Sequence, residues 1–253
     1  MNNLAPNKIG LGRLPCWIRA GWQTFLQVKG LSAIYAGIFA LLGLFQFAGV
    51  VSAGLAPLMV PLAGGFMLIG PALLCGFFYV SGHAAAKKPV RLGDFFAGFR
   101  LAPPALWVIA LVEMFVFLIW LTDAGIVYGL YFGITPDMGL AEFAAGLAGD
   151  GDTLPFLFFS GLMWLLLAFI IFATSAFAVP LLFYRRANLA GAVSASVKAV
   201  FSSFLPMLAW GVLLSVTMLA AILLFLPLFP VVFPVLAYAS VQAYSEVFPQ
   251  SPG

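Results

Sequence analysis

Apolar runs of roughly twenty residues recur along this chain without the apolar–polar alternation of strands. The clearest, "FLFFSGLMWLLLAFIIFATSAFAV" at 156–179, contains no charged residue. Such runs can be buried only in a very large core or in lipid. Composition decides between the two. Hydrophobic residues make up 64% of the 253-residue chain and charged residues 8%, where soluble domains carry about a quarter charged. A core that size does not exist in a chain this short, so lipid is the solvent. Backbone polar groups must then be satisfied within helices or a closed barrel. Run length and missing alternation select helices, and the fold class is an all-α polytopic membrane protein.

Six spans are predicted as one membrane domain over 1–253: 31–52, 60–81, 104–123, 156–179, 205–226 and 229–246. The third continues into "GIVYGLYFGI" toward Ile134. A helix of some 30 residues would be about 45 Å long, more than the hydrocarbon core. Emergence, a break or a strong tilt is therefore expected at Asp123-Ala124-Gly125. Prolines at Pro57, Pro227 and Pro230 suit tight hairpins within the first and last pairs.

Charge supplies orientation. All eleven Lys and Arg residues lie in the N-terminal segment (Lys8, Arg13, Arg19, Lys29), the second connection (Lys87, Lys88, Arg91, Arg100) or the fourth (Arg185, Arg186, Lys198). An even number of spans separates these places, which puts them on one face. The opposite face carries Asp137, Glu142, Asp150 and Asp152. The positive-inside rule makes the basic face cytoplasmic, with both termini inside. The net charge of +3 is thus a topology signal with some attraction to anionic headgroups, and no nucleic-acid partner is implied.

Each basic region is also amphipathic. After Asn188, a predicted N-cap, Leu189, Val193, Val197, Val200, Phe201 and Phe204 form one helical face, and Ser194, Lys198 and Ser202 another. At the N-terminus Ile18, Trp22, Phe25 and Leu26 oppose Arg19, Gln23 and Gln27. In the second connection Leu92, Phe95, Phe96 and Phe99 are flanked by Arg91, Asp94 and Arg100. Three times an interfacial helix precedes two crossings. This suggests three parallel repeats over 13–83, 88–184 and 188–248. Basic loops that merely tend to be amphipathic would look the same.

The second predicted span is rich in small residues. Gly64, Gly65, Gly70 and Gly76 permit close backbone approach, and Gly70-Pro71 predicts a kink. Ala33 with Gly37, and Ala239 with Ala243, have small-xxx-small spacing. Trp17, Trp22, Trp107 and Trp210 read as interface anchors.

"GGFMLIGPALLCGFFYVSG" followed by "KKPVRLGDFF", and "FAVPLLFYRRANLAGAVSASVKAVFSSFLPMLAWG" followed by "FPVLAYASVQAYSEVF", resemble a family of uncharacterised bacterial integral membrane proteins. It is a domain-of-unknown-function group of predicted six-span inner-membrane proteins, and the similarity covers nearly the whole chain. The resemblance implies a bacterial inner-membrane location and brings no activity with it. Family members end in a segment with a histidine pair near a Trp. Tyr238, Gln242 and Val241 stand at the corresponding places here, so no haem or metal role carries over.

Chemistry must come from ionisable groups at depth. Glu113 falls mid-span, where a carboxylate costs several kcal/mol unless paired, protonated or wetted. Thr174, Ser175, Ser215, Thr217 and Gln46 are the nearest polar candidates by depth. Asp123 lies toward the outer end and can reach water. Glu113 is either a proton- or cation-linked site or a neutral glutamic acid held by a hydroxyl of the next helix. His83 is a single histidine at the cytoplasmic end of the second span, too few for a bis-histidine haem or a common zinc set. "GDGD" at 149–152 lacks the calcium-loop ligand series and reads as a turn. Cys16 and Cys75 match no disulfide or metal spacing. No nucleophile–base set, P-loop or dinucleotide fingerprint is present, so neither catalysis nor a cofactor is expected.

Two classes of function follow. One is a non-enzymatic accessory, assembly or scaffolding component, self-associating or bound to other membrane subunits. The other is a transporter or channel-like protein for a small solute, ion or lipid, with Glu113 in a central cavity beside the Gly70-Pro71 bend. What Glu113 faces separates them: dry packing favours the first, a hydrated path the second.

Overall fold

A computed structural model describes residues 4–55, 70–132, 141, 145 and 153–249. The fold is all-α, with ten helices of six or more residues among the described segments. They are α1 (Leu14–Gln27), α2 (Lys29–Ser52), α3 (Gly70–Ala85), α4 (Leu92–Leu101), α5 (Pro104–Phe132), α6 (Thr153–Ser175), α7 (Ala178–Phe183), α8 (Leu189–Ser202), α9 (Phe204–Leu223) and α10 (Phe229–Val247).

Among the described residues, five segments are long and apolar enough to cross a membrane: Lys29–Ser52, Pro104–Tyr131, Leu154–Phe183, Phe204–Leu223 and Leu226–Val247. The sixth expected span is represented by α3, which begins at Gly70 and ends four residues beyond the predicted limit of 81. Gly65 and the rest of 60–69 lie outside the described residues, as do Pro57, Asp137, Glu142 and "GDGD". Gly70 and Pro71 form the first turn of α3 as described, so the expected kink between them and the preceding residues also lies outside.

Of the alternatives at Asp123-Ala124-Gly125, the break does not occur. Helix α5 runs without a break through Asp123-Ala124-Gly125 to Phe132. A helix satisfies its own backbone in lipid, and one carboxylate on its surface does not interrupt that ladder. Its 29 residues give a length of about 44 Å.

Helices in lipid gain little from apolarity itself, because acyl chains are as apolar as leucine; close packing and internal hydrogen bonds hold them together. Both devices are present. Helix α1 crosses α10 at Gly21, where an added Cβ would come within 2.7 Å of the Ala239 amide nitrogen and 2.9 Å of its methyl. Helix α4 sits on α3 at Gly98, where a Cβ would meet the Cys75 carbonyl and come within 2.8 Å of Gly76 Cα. Gly76 itself faces Phe95 O and the Tyr35 hydroxyl, at 2.7 and 2.8 Å from a notional Cβ. The Tyr35 ring stacks on Phe95 at 4.7 Å and its hydroxyl donates to Leu73 O at 3.2 Å. The Ser32 and Tyr238 hydroxyls share a 2.8 Å hydrogen bond between α2 and α10.

The amphipathic helices form, and the docked faces coincide with the predicted apolar ones only in part: Phe25, Phe95 and Val200 are buried and Ile18, Leu189 and Val193 pack on the core. In α1 the buried stripe is Leu14, Trp17, Gly21 and Phe25, while Trp22 and Leu26 are exposed. In α8 it is Ala192, Ala195, Ser196, Ala199 and Val200, while Phe201 is exposed. The Asn188 cap is present: its side chain accepts from the Gly191 N–H at 2.8 Å.

Candidate functional site

The span Leu154–Phe183 is interrupted between α6 and α7, at Ala176 and Phe177. Pro180 has no N–H and cannot return the hydrogen bond to Ala176 that a continuous helix requires. One turn earlier the ladder is opened by an insertion. The Phe177 N–H, which would reach Ala173 O in an unbroken helix, donates instead to Ser196 Oγ on α8 at 3.1 Å. The Ser196 hydroxyl then donates to Ala173 O at 2.9 Å. A buried hydroxyl thus stands between donor and acceptor, satisfies both and fixes the bend.

Beside this bend lies a cavity of about 200 Å³ bounded by α3, α6, α7, α9 and α10. Phe78, Phe172, Pro180, Trp210 and Phe233 form apolar walls, and Ser175, Ser215 and Ser240 are polar points on them. Ser175 and Ser240 donate to carbonyls one turn back in their own helices, Ile171 O at 2.7 Å and Leu236 O at 2.9 Å. Their oxygens can still accept. Among the described residues no charged side chain lines the cavity. A second hollow of about 130 Å³ between α6 and α9 shares Trp164, Phe172, Gly211 and Ser215 with it. The space therefore continues to a lipid-facing surface where Leu165, Val212 and Val216 are exposed.

Glu113 does not line this space itself. It sits in α5 with 3% of its surface exposed. Neither carboxyl oxygen has a hydrogen-bond partner among the described residues. Ser175, which also lines the cavity, lies beside the Glu113 carboxyl; its hydroxyl donates to Ile171 O, and no contact with Glu113 meets hydrogen-bond geometry. Thr174 likewise donates to Ile170 O at 2.8 Å and Ile171 O at 3.1 Å. Asp123 is half-buried ten residues further along α5, about 15 Å away, so the two carboxyls do not form one site. His83 Nδ1 lies 3.2 Å from Tyr79 O, and its ring packs on Tyr79 at 4.4 Å. Among the described residues no three His, Cys, Asp or Glu side chains gather as metal ligands.

A polar cluster that sequence reasoning missed closes one end of the bundle. Arg13 grips Glu246 through two hydrogen bonds of 2.6 and 3.1 Å, which hold its guanidinium above its ordinary value. The buried Trp17 indole N–H donates to the same carboxylate at 2.8 Å. Arg186 donates to Tyr244 Oη at 3.2 Å, to Phe248 O, and to Pro249 O at 3.0 Å. Asn7 donates to Glu246 O at 3.1 Å and Val247 O at 2.9 Å, so the carbonyls at and just beyond the end of α10 are satisfied from two sides, and a cation there also suits the helix dipole. The only hint in the sequence was the charge itself.

Residues 58–183 match the model of a family described as "Predicted integral membrane protein (DUF2189)". No curated protein and no solved structure matches.

Proposed function

We propose, from the match to a family of predicted integral membrane proteins, that this multi-pass protein is a non-enzymatic accessory, assembly or scaffolding component of a bacterial inner membrane. The observation that supports this role over an ion-coupled one is that Glu113 is almost fully buried and is not among the residues lining the cavity, although its neighbour Ser175 is. A carboxyl that exchanges protons or binds a cation needs a wet path. Reconstitution in vesicles carrying a pH-sensitive dye should give proton and monovalent-cation fluxes equal to those of empty vesicles. A flux that Glu113→Gln abolishes would overturn the reading.

The proposed orientation places both termini in the cytoplasm. Contacts support it by gathering basic segments at one end: Arg13 and Arg186 meet the C-terminal end of α10, and Lys29 shares a crevice with Lys87 and Lys88. In a cysteine-free background, a probe cysteine at Asp150 should be labelled in intact cells and one at Lys198 protected. The reverse pattern refutes the orientation. The three repeats remain a proposal, supported by the two similar basic turns that follow α3 and α7.

The cavity favours a second reading, the handling of a lipid chain or a small apolar solute without Glu113. Its apolar walls and continuation between α6 and α9 support lateral entry. Lipids brominated at mid-chain should quench Trp164 and Trp210, and filling the gap with Gly211→Phe should relieve the quenching. Equal quenching in the filled variant would remove this reading.

A further inference from the structure

A second crevice, of about 690 Å³, lies between the α1–α2 junction and the turn after α3. Its volume is in the range of ligand sites. Lys29, Lys87 and Lys88 line it, and among the described residues no acidic one does. Leu26, Leu31, Ile34 and Val90 supply apolar surface in the same crevice, with Leu26 and Ile34 exposed. Nearby Asp94 is occupied, accepting from the Arg91 N–H at 2.7 Å. None of the three lysines takes part in an ion pair among the described residues.

The backbone adds an independent observation. Lys87 has φ 53°, in the left-handed region that glycine adopts freely and a lysine does not. Its N–H donates to Ala84 O and that of Lys88 to His83 O, both at 3.0 Å. Glycine is the usual residue at such a helix end. The turn puts Lys87 at the edge of the crevice, and strained non-glycine positions cluster at functional sites.

We infer that this crevice is a binding site for the headgroup of an anionic phospholipid. The three lysines supply cationic charge for the phosphate, and the apolar residues suit the start of the acyl chains. Both are offered where the spanning helix α2 begins. The assignment does not depend on the role proposed above, since an accessory protein and a lipid-handling one could each use it.

The full chain, purified into nanodiscs from equal phosphatidylglycerol and phosphatidylcholine with identical acyl chains, tests the site. Native mass spectrometry should show retained lipid enriched in phosphatidylglycerol, with about fivefold preference contributed per lysine. Combined Lys29→Gln, Lys87→Gln and Lys88→Gln should return the ratio to the input. Combined Lys8→Gln, Arg19→Gln and Lys198→Gln, an equal loss of charge, should leave the enrichment intact. Equal loss in the two triple variants would show a general charge effect and overturn the site. Glycerol 3-phosphate should fail to displace the lipid; efficient displacement would assign the site to a soluble phosphate and overturn the lipid assignment. The unmodified protein gives a check that needs no variant. Raising salt to about 0.5 M should reduce the enrichment severalfold by screening, and an unchanged ratio refutes the proposal.

Discussion

Two turns of this protein share a backbone and differ in what their side chains do. After α3, Lys87 lies at φ 53° and the N–H groups of Lys87 and Lys88 close on Ala84 and His83. After α7, Arg185 lies at φ 54° and the N–H groups of Arg185 and Arg186 close on Leu182 and Leu181, both at 2.9 Å. Each turn leads into an amphipathic helix that packs back on the preceding span. Arg186 is spent inside the protein, on the end of α10. The two lysines line an open crevice. The guanidinium, with several donors in a fixed fork, suits three oxygens at once, whereas an ammonium on a flexible stem suits a mobile anion. The same local fold thus serves as a clamp in one place and a contact surface in the other.

The most damaging break in this comparison lies where the following helices dock. Helix α4 meets α3 backbone to backbone at Gly98, and the atoms a methyl would strike are the Cys75 carbonyl and Gly76 Cα, neither able to swing aside. Gly98→Ala should cost about 3 kcal/mol, near the top of the overpacking range. It should lower the unfolding temperature in detergent more than Ser196→Ala, Arg186→Gln or Lys88→Gln. A stable Gly98→Ala protein would mean that α4 is loosely held.

Helix α8 docks through chemistry as well as size. Ser196→Ala leaves the Phe177 N–H and Ala173 O without their shared partner while adding no bulk. The expected loss is about 2 kcal/mol, the cost of stranding buried polar groups. Thermal unfolding measures it, and Ser196→Thr, which keeps the hydroxyl, should recover part. If both variants match the parent, the helix has resealed its own ladder and the inserted hydroxyl is dispensable.

The third contrast is between the second basic residues of the two turns. Arg186→Gln removes a charged donor from two carbonyls and a phenol, and should cost about 1.5 kcal/mol. Lys88→Gln should stay within about 0.5 kcal/mol of the parent, as surface changes do. Equal losses in a denaturation series would erase the distinction between clamp and contact surface.

These contrasts also mark what could be read from sequence. The spans were legible because twenty apolar residues have few alternatives in any solvent. Asn188 was legible as a cap because its bond to Gly191 is local. The docking faces were legible only in part. Apolarity identifies the buried side of a helix in water, but in lipid Trp22, Leu26 and Phe201 lose nothing by facing outward. What selects the inner face is size, at Gly21, Gly98, Ala195 and Ala199, and small residues carry little hydropathy signal. The break after Ser175 was hidden in an apolar run, since the hydroxyl that opens it is about twenty residues away in the chain. Glu113 was legible as an anomaly. Its position outside the cavity lining was not, because depth along a helix does not give the side on which neighbours pack.

The smallest effect tests the shared backbone itself. Both turns hold a non-glycine residue in the left-handed region, a penalty of about 1–2 kcal/mol. Glycine removes that penalty but gives the unfolded chain more freedom, which offsets about 0.5–1 kcal/mol of the gain. Lys87→Gly and Arg185→Gly should therefore each stabilise by about 0.5 kcal/mol, within error of one another. The closing hydrogen bonds involve backbone groups alone, so both variants keep them. Lipid binding should separate the pair: Lys87→Gly loses a crevice cation and should weaken phosphatidylglycerol enrichment about fivefold, whereas Arg185→Gly should not. Should Lys87→Gly destabilise while Arg185→Gly stabilises, the Lys87 side chain must contribute to folding. The strain would then be explained by stability, and the inference from strain to a binding role would lose its basis.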